Sequence, residues 1–89
     1  MNNVQIEFIS KPECHLCDDA REIVQSVLTE FSADQVVLSE RSILDDAELY
    51  DRFWEEIPVV RINGKVHDFW RVDPERFRAA VTAALTATD

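Results

Sequence analysis

The segment Ser10–Leu28 reads SKPECHLCDDAREIVQSVL and contains both cysteines of the chain, Cys14 and Cys17. A disulfide between them would close a very short loop. A structural disulfide stabilises a fold mainly by closing a long loop, so this one would contribute little. Unless the spacing is accidental, the pair therefore indicates chemistry or metal binding rather than a structural cross-link.

The rest of the chain has the composition of an ordinary globular protein. It has 89 residues, of which 46% are hydrophobic and 30% are charged, so we expect a single domain spanning residues 1–89. It shows no signal sequence and no apolar run of membrane-spanning length, so we expect a cytoplasmic monomer with reduced thiols and no membrane partner. The net charge of −9 argues against a nucleic-acid partner, which would require a basic surface.

The hydrophobic pattern around the cysteines predicts a strand followed by a helix. In Asn3–Ser10 every second residue is apolar, which is the period of a pleated strand. After Lys11 and Pro12, apolar residues recur at three- and four-residue steps from about Cys14 to Phe31. This spacing is typical of an amphipathic helix, and it places Leu16 in the predicted buried stripe.

The remaining segments predict a complete α/β order. A second strand falls within residues 35–43, and a short helix capped by Asp45 or Asp46 covers about residues 46–54. Residues 57–62 and 65–70 predict two strands joined by a hairpin at Asn63-Gly64, and Asp73-Pro74 begins a last helix. The order is β-α-β-α-β-β-α, which predicts a mixed four-stranded sheet with helices on both faces.

The predicted positions of the cysteines favour redox chemistry. Residues three apart in the first turn of a helix are neighbours, so a disulfide forms and opens there with little backbone movement. Cys14 lies at the helix start, where free N–H groups and the helix dipole stabilise a thiolate. Lys11 and a protonated His15 act in the same direction, whereas Glu13, Asp18 and Asp19 oppose them. Cys17 is the natural resolving thiol.

Two other interpretations compete with a redox pair. A structural zinc ion needs four ligands, usually from two such cysteine pairs. The chain offers only Cys14, Cys17, His15 and the distant His67, so we expect no metal site. Alternatively, the two cysteines are inert residues at the edge of the core, since free cysteines are often buried.

The cysteine pair and the predicted element order make the chain resemble a small glutaredoxin-like protein of the thioredoxin superfamily over nearly its whole length. FISKPECHLC (residues 8–17) is similar to the opening of glutaredoxins, with a lysine three residues before the first cysteine. EEIPVVRINGK (residues 55–65) resembles the segment that holds the cis-proline of the superfamily. The predicted element order is the minimal thioredoxin one, so the resemblance implies a thioredoxin fold.

The resemblance also implies roles for particular residues. Cys14 would be the attacking thiol and Cys17 the resolving thiol. Pro58 would be the cis-proline facing them, and the preceding residue, Ile57, would offer its backbone to the substrate. Lys11 completes the predicted substrate-binding residues.

The chain departs from the glutaredoxin pattern in two places. The residues between the cysteines are His15-Leu16, not the Pro-Tyr common in glutaredoxins. Where glutaredoxins carry a glycine pair that holds glutathione, this chain reads VHDFWRVD (residues 66–73). We expect one of Phe69 and Trp70 to lie in the core and the other to form an apolar patch near the cysteines.

These observations predict a thiol–disulfide oxidoreductase that needs no metal or bound cofactor. Its substrate would be a disulfide-containing protein or a small thiol compound, and a reductase or a low-molecular-weight thiol would restore the dithiol. Two alternatives stay open. One is a non-catalytic or redox-sensing thioredoxin-fold binding module, and the other is a metal carrier that uses the two cysteines.

Overall fold

The computed structural model describes residues 3–87, so residues 1–2 and 88–89 of the predicted domain lie outside the described residues. The predicted order of strands and helices is confirmed. The strands are β1 (Val4–Ser10), β2 (Val36–Ser42), β3 (Val59–Ile62) and β4 (Lys65–Phe69). The helices are α1 (His15–Leu28), α2 (Ala47–Phe53) and α3 (Pro74–Thr86).

The four strands form one mixed sheet in the order β2-β1-β3-β4. β1 pairs in parallel with β2, and α1 provides the crossover that a parallel pair requires. β1 also pairs antiparallel with β3, and β3 pairs antiparallel with β4. The strand that leads to the two cysteines is therefore a central strand, with a hydrogen-bonded neighbour on each side.

The two faces of the sheet carry separate hydrophobic clusters. α1 and α3 cover one face, where the alternating residues of β1 that the sequence indicated are buried together with Val60 and Phe77. α2 covers the other face around Ile9 and Val59. Helices thus lie on both faces, as predicted.

The predicted hairpin turn lies between β3 and β4. Asn63 has a φ of 52° and Gly64 a φ of 84°, and two successive positive φ values are the geometry that an Asn-Gly turn supplies. The Asn63 side-chain Oδ1 also accepts a hydrogen bond of 2.9 Å from the backbone N–H of Gln5. The turn is therefore tied to the central strand.

The first helix begins as predicted but differs from the prediction at its end and in the burial of Leu16. It ends at Leu28 rather than at Phe31, because the N–H groups of Glu30 and Phe31 bond to carbonyls only three residues back and tighten the last turn. Leu16 is 45% exposed, so its place in the buried stripe was wrong. The buried face of α1 begins one residue later, at Cys17.

The prediction that one of Phe69 and Trp70 lies in the core was also wrong. Phe69 is 39% exposed and Trp70 is 53% exposed. β4 is an edge strand that ends at Phe69. Trp70 therefore lies outside the strand, where the alternation of buried and exposed residues no longer applies.

Among residues 3–87, none of the helices combines the length and the apolar character that a membrane span requires.

Phe77 offers a test of the larger cluster because its side chain is completely buried. We expect Phe77→Ala to lower the free energy of unfolding by about 3–5 kcal/mol, because it removes a large side chain and leaves a cavity. Tyr50→Ala is the matched control, since Tyr50 is 45% exposed, and it should cost about 1 kcal/mol or less. Urea unfolding measures both, and equal losses would contradict the assigned core.

Candidate active site

Three segments that are distant in the sequence meet at one end of the sheet. β3 runs antiparallel to β1 with Val59 opposite Ile9, and β4 runs antiparallel to β3 with Phe69 opposite Val59. The loop after β1, the residues just before β3 and the residues just after β4 must therefore lie at the same sheet edge. This edge contains Lys11–Cys17, Glu55–Pro58 and Trp70–Asp73.

Cys14 and Cys17 form a disulfide at the start of α1, with their Cα atoms 5.1 Å apart. Cys14 is the N-cap of the helix, and its Sγ accepts a hydrogen bond of 3.1 Å from the backbone N–H of Cys17. Cys14 is partly exposed, whereas Cys17 is completely buried. The two sulfurs are thus bonded to each other, and the two residues differ in their access to solvent.

The helix start provides a favourable place for negative charge on the Cys14 sulfur. The first N–H groups of a helix have no partner within the helix, and the dipole places partial positive charge there. The N–H of Cys17 already points at Sγ. The same hydrogen bond would stabilise a thiolate once the disulfide is reduced.

An ion-pair cluster that the sequence did not reveal ties the first turns of α1 to β2. The Arg21 guanidinium bonds to Glu40 at 2.5 Å and to Asp18 at 2.9 Å. The hydrogen bond from Arg21 lowers the pKa of the Glu40 carboxyl below its ordinary value, against the opposing effect of burial. Ser10 also donates to Glu40 at 3.2 Å. The cluster holds the end of β1, the start of α1 and β2 together.

The residues just before Cys14 are exposed. Lys11 and Glu13 both face solvent, as does His15 after the cysteine. Glu13 has a φ of 56°, a left-handed conformation that costs free energy for a residue other than glycine. The chain thus makes a constrained turn directly before the first cysteine.

The second segment brings Ile57 and Pro58 to this edge. The peptide bond between them is cis. Pro58 is fully buried, and Ile57 is partly buried and packs against both hydrophobic clusters. The Pro58 carbonyl accepts a hydrogen bond of 2.9 Å from the backbone N–H of Trp70, which joins this segment to the third one.

Trp70 has a position in this region that the sequence pattern did not predict. Its φ is 68°, and its indole Nε1–H donates a hydrogen bond of 2.9 Å to the carbonyl of Glu55. Its ring packs edge-on against Phe69, with the centroids 5.0 Å apart. Trp70 therefore bridges the segments before β3 and after β4 while half of its surface remains exposed.

A groove of about 290 Å³ opens between α1 and the segment after β4. Leu16 and Trp70 are the large exposed apolar residues of its walls. Asp19 on the α1 side and Arg71 on the other side are its charged residues. Because Leu16 stands between the two cysteines in the sequence, the groove begins directly beside the redox pair.

A structural zinc ion would need further ligands beside the two cysteines. Within residues 3–87, no group of three or more histidine, cysteine, aspartate or glutamate side chains could hold a metal ion. His67 packs against the ring of Phe77, with the centroids 5.9 Å apart. Burial lowers the pKa of His67 below its ordinary value.

Sequence comparison finds a matching family and a similar protein. Residues 5–82 match the family described as Glutaredoxin-like domain (DUF836). A glutaredoxin-like protein YDR286C homolog of Dictyostelium discoideum is 27% identical over 77 residues, which are 83% of this chain and 71% of that protein.

Solved structures show the same fold. The structural genomics target protein XcR50 from X. campestris is 28% identical, with a TM-score of 0.65 over 88% of this chain and 96% of that one. A chloroplastic thioredoxin z is 13% identical, with a TM-score of 0.75 over 97% of this chain and 80% of that one. The predicted thioredoxin fold is confirmed, and the paired cysteines on it support a thiol–disulfide redox role.

The different burial of the two cysteines leads to a test on the reduced protein. We expect iodoacetamide to modify Cys14 at least about tenfold faster than Cys17, because Cys14 is partly exposed at the helix start and Cys17 is completely buried. Peptide mapping by mass spectrometry measures the two rates. The control is the same reaction in denaturant, where the rates should converge. Equal rates in the folded protein would contradict the assignment.

Proposed function

We propose that this chain, which belongs to the glutaredoxin-like domain family (residues 5–82), is a thiol–disulfide oxidoreductase that exchanges disulfides through Cys14 and Cys17. The observation that carries the proposal is the placement of the two sulfurs. Cys14 caps the start of α1 with a backbone N–H aimed at its sulfur, and the Cys17 sulfur lies within bonding reach behind it.

The reaction has two steps, which together transfer two electrons to the substrate. In the first, the Cys14 thiolate attacks one sulfur of the substrate disulfide, forms a mixed disulfide and releases the other sulfur as a thiolate. In the second, the Cys17 thiol loses its proton and attacks Cys14 Sγ. The second substrate thiolate leaves, takes up a proton, and the Cys14–Cys17 disulfide remains.

The burial of the cysteines supports this order of attack. A substrate disulfide meets Cys14 first, because Cys17 is inaccessible to solvent. Cys17 instead faces the sulfur to which it must bond, so the second step is an intramolecular attack over a short distance. A buried resolving thiol also limits reaction with unintended oxidants.

The neighbouring residues have supporting roles in this proposal. Lys11 would favour the Cys14 thiolate through its positive charge, since opposite charges attract at short range. The backbone of Ile57 would pair with the substrate segment next to its disulfide, and the buried Pro58 would fix the position of that backbone. The substrate would be a disulfide-containing protein or small thiol compound, and a reductase or a low-molecular-weight thiol would restore the dithiol.

Two matched serine variants test the order of attack. Cys14→Ser should abolish reduction of a small disulfide such as 2-hydroxyethyl disulfide, because the attacking sulfur is gone. Cys17→Ser should still attack and should accumulate a mixed disulfide, visible as a mass increase that a reductant removes. Turnover by Cys14→Ser would reverse the assignment. No turnover by the wild-type protein would favour a binding module without catalysis.

A second test concerns the reductant. We expect glutathione with its reductase to support turnover poorly compared with a thioredoxin-reductase system. The site edge carries the exposed side chains of Phe69 and Trp70 where a close backbone approach would favour glycine. Coupled assays with the two systems on the same disulfide measure the difference. Turnover that saturates at sub-millimolar glutathione, an ordinary range for enzyme substrates, would refute this expectation.

A further inference from the structure

The groove beside the redox pair has two unlike walls. One wall is α1, which contributes Leu16, Asp19 and Ile23, and Ala20 lies between them. The other wall is the segment Trp70–Val72 that follows β4. Both walls are continuous with the active site, because Leu16 lies between the cysteines and Trp70 bonds to the Pro58 carbonyl.

The apolar part of the groove is exposed and held in place. Leu16 is 45% exposed and Trp70 is 53% exposed, so an apolar side chain placed between them would remove further apolar surface from water. The Trp70 ring is fixed by its hydrogen bond to the Glu55 carbonyl and by its contact with Phe69. A wall that is already ordered loses little conformational entropy when a partner binds.

The charges around the α1 wall are mostly negative. The exposed acidic side chains of α1 and the loop before it are Glu13, Asp18, Asp19 and Glu22. The positive charge of α1, on Arg21, is already paired with Glu40 and Asp18. Asp19 forms no ion pair with another residue in the range 3–87. The chain as a whole has a net charge of −9, which attracts a basic partner.

We propose that this groove docks a segment of a disulfide-bearing protein that presents a bulky apolar side chain to Leu16 and Trp70 and a basic side chain to Asp19. The inference rests on the proposed function and names its substrate class. Arg71 on the opposite wall repels a basic side chain, so that side chain is directed toward α1. The guanidinium of Arg71 is left to donate to carbonyl groups of the docked segment.

Three peptides of equal length test the two features separately. Each carries one cysteine in a disulfide with the same small thiol, flanked by leucine and lysine, by leucine and glutamate, or by serine and lysine. We expect kcat/KM for the leucine–lysine peptide to exceed each of the others by about tenfold at low ionic strength. The lysine preference should shrink in 0.5 M salt, where exposed charges are screened, while the leucine preference should persist.

A charge reversal locates the lysine preference on the molecule. Asp19→Lys should give the leucine–glutamate peptide a higher kcat/KM than the leucine–lysine peptide. Asp51→Lys is the matched control, because Asp51 is also an exposed aspartate on a helix but lies on α2, which covers the other face of the sheet. Both variants change the net charge equally. An effect of net charge alone would therefore change the preference between the lysine and glutamate peptides by the same amount in both.

The apolar contact has its own variant. Trp70→Ala should remove the preference for leucine over serine, and circular dichroism checks that this variant folds. If it does not fold, the three peptides on the wild-type protein and the Asp19→Lys comparison still decide the question.

The outcomes separate this inference from the function on which it rests. No turnover of 2-hydroxyethyl disulfide by the wild-type protein would overturn the proposed function itself. Normal turnover of that uncharged compound with equal kcat/KM for the three peptides would overturn only the docking groove. Equal shifts in Asp19→Lys and Asp51→Lys would likewise overturn the assignment of the basic side chain to Asp19.

Discussion

The pairing of β1 on both of its edges is the constraint on which the rest of the structure depends. β1 is hydrogen-bonded to β2 on one side and to β3 on the other. It is buried on both faces toward its end, where Phe8 contacts the α1 and α3 cluster and Ile9 contacts the α2 cluster. A strand fixed in this way cannot shift its register without exposing a buried face. The position at which the chain leaves the sheet and reaches Cys14 is therefore fixed as well.

The redox pair uses the physical features that end the strand and begin the helix. The turn at Glu13 leads into α1, and the first N–H groups of that helix need acceptors. Cys14 supplies one of them with its sulfur, so the same hydrogen bond caps the helix and stabilises negative charge on the attacking atom. Arg21 and Glu40 then hold the first turns of α1 against β2. Stability and reactivity thus depend on the same few contacts.

The opposite side of the site depends on a single aromatic residue. Trp70 takes a positive φ, which is costly for a bulky side chain. Two hydrogen bonds compensate, one from its backbone to Pro58 and one from its indole to Glu55. Strained residues persist where their surroundings over-determine them, and such positions cluster at functional sites. Here the strained residue forms the wall that faces Leu16 across the groove, at the place where the family resemblance suggested glycine.

Local patterns in the sequence were sufficient to predict the order of strands and helices and the position of the cysteine pair. Alternation defined β1, Asp73-Pro74 defined the start of α3, and Asn63-Gly64 defined the hairpin, because each of these signals acts within a few residues of the backbone. The assignment of Cys14 to a helix start followed from the same local reasoning. The tertiary structure decided which distant segments share the site, that Leu16 and Trp70 are exposed, and that Arg21 pairs with Glu40. These features depend on strand order and register, which arise from pairing between segments far apart in the chain. A periodicity measured within one strand or helix carries no information about that pairing.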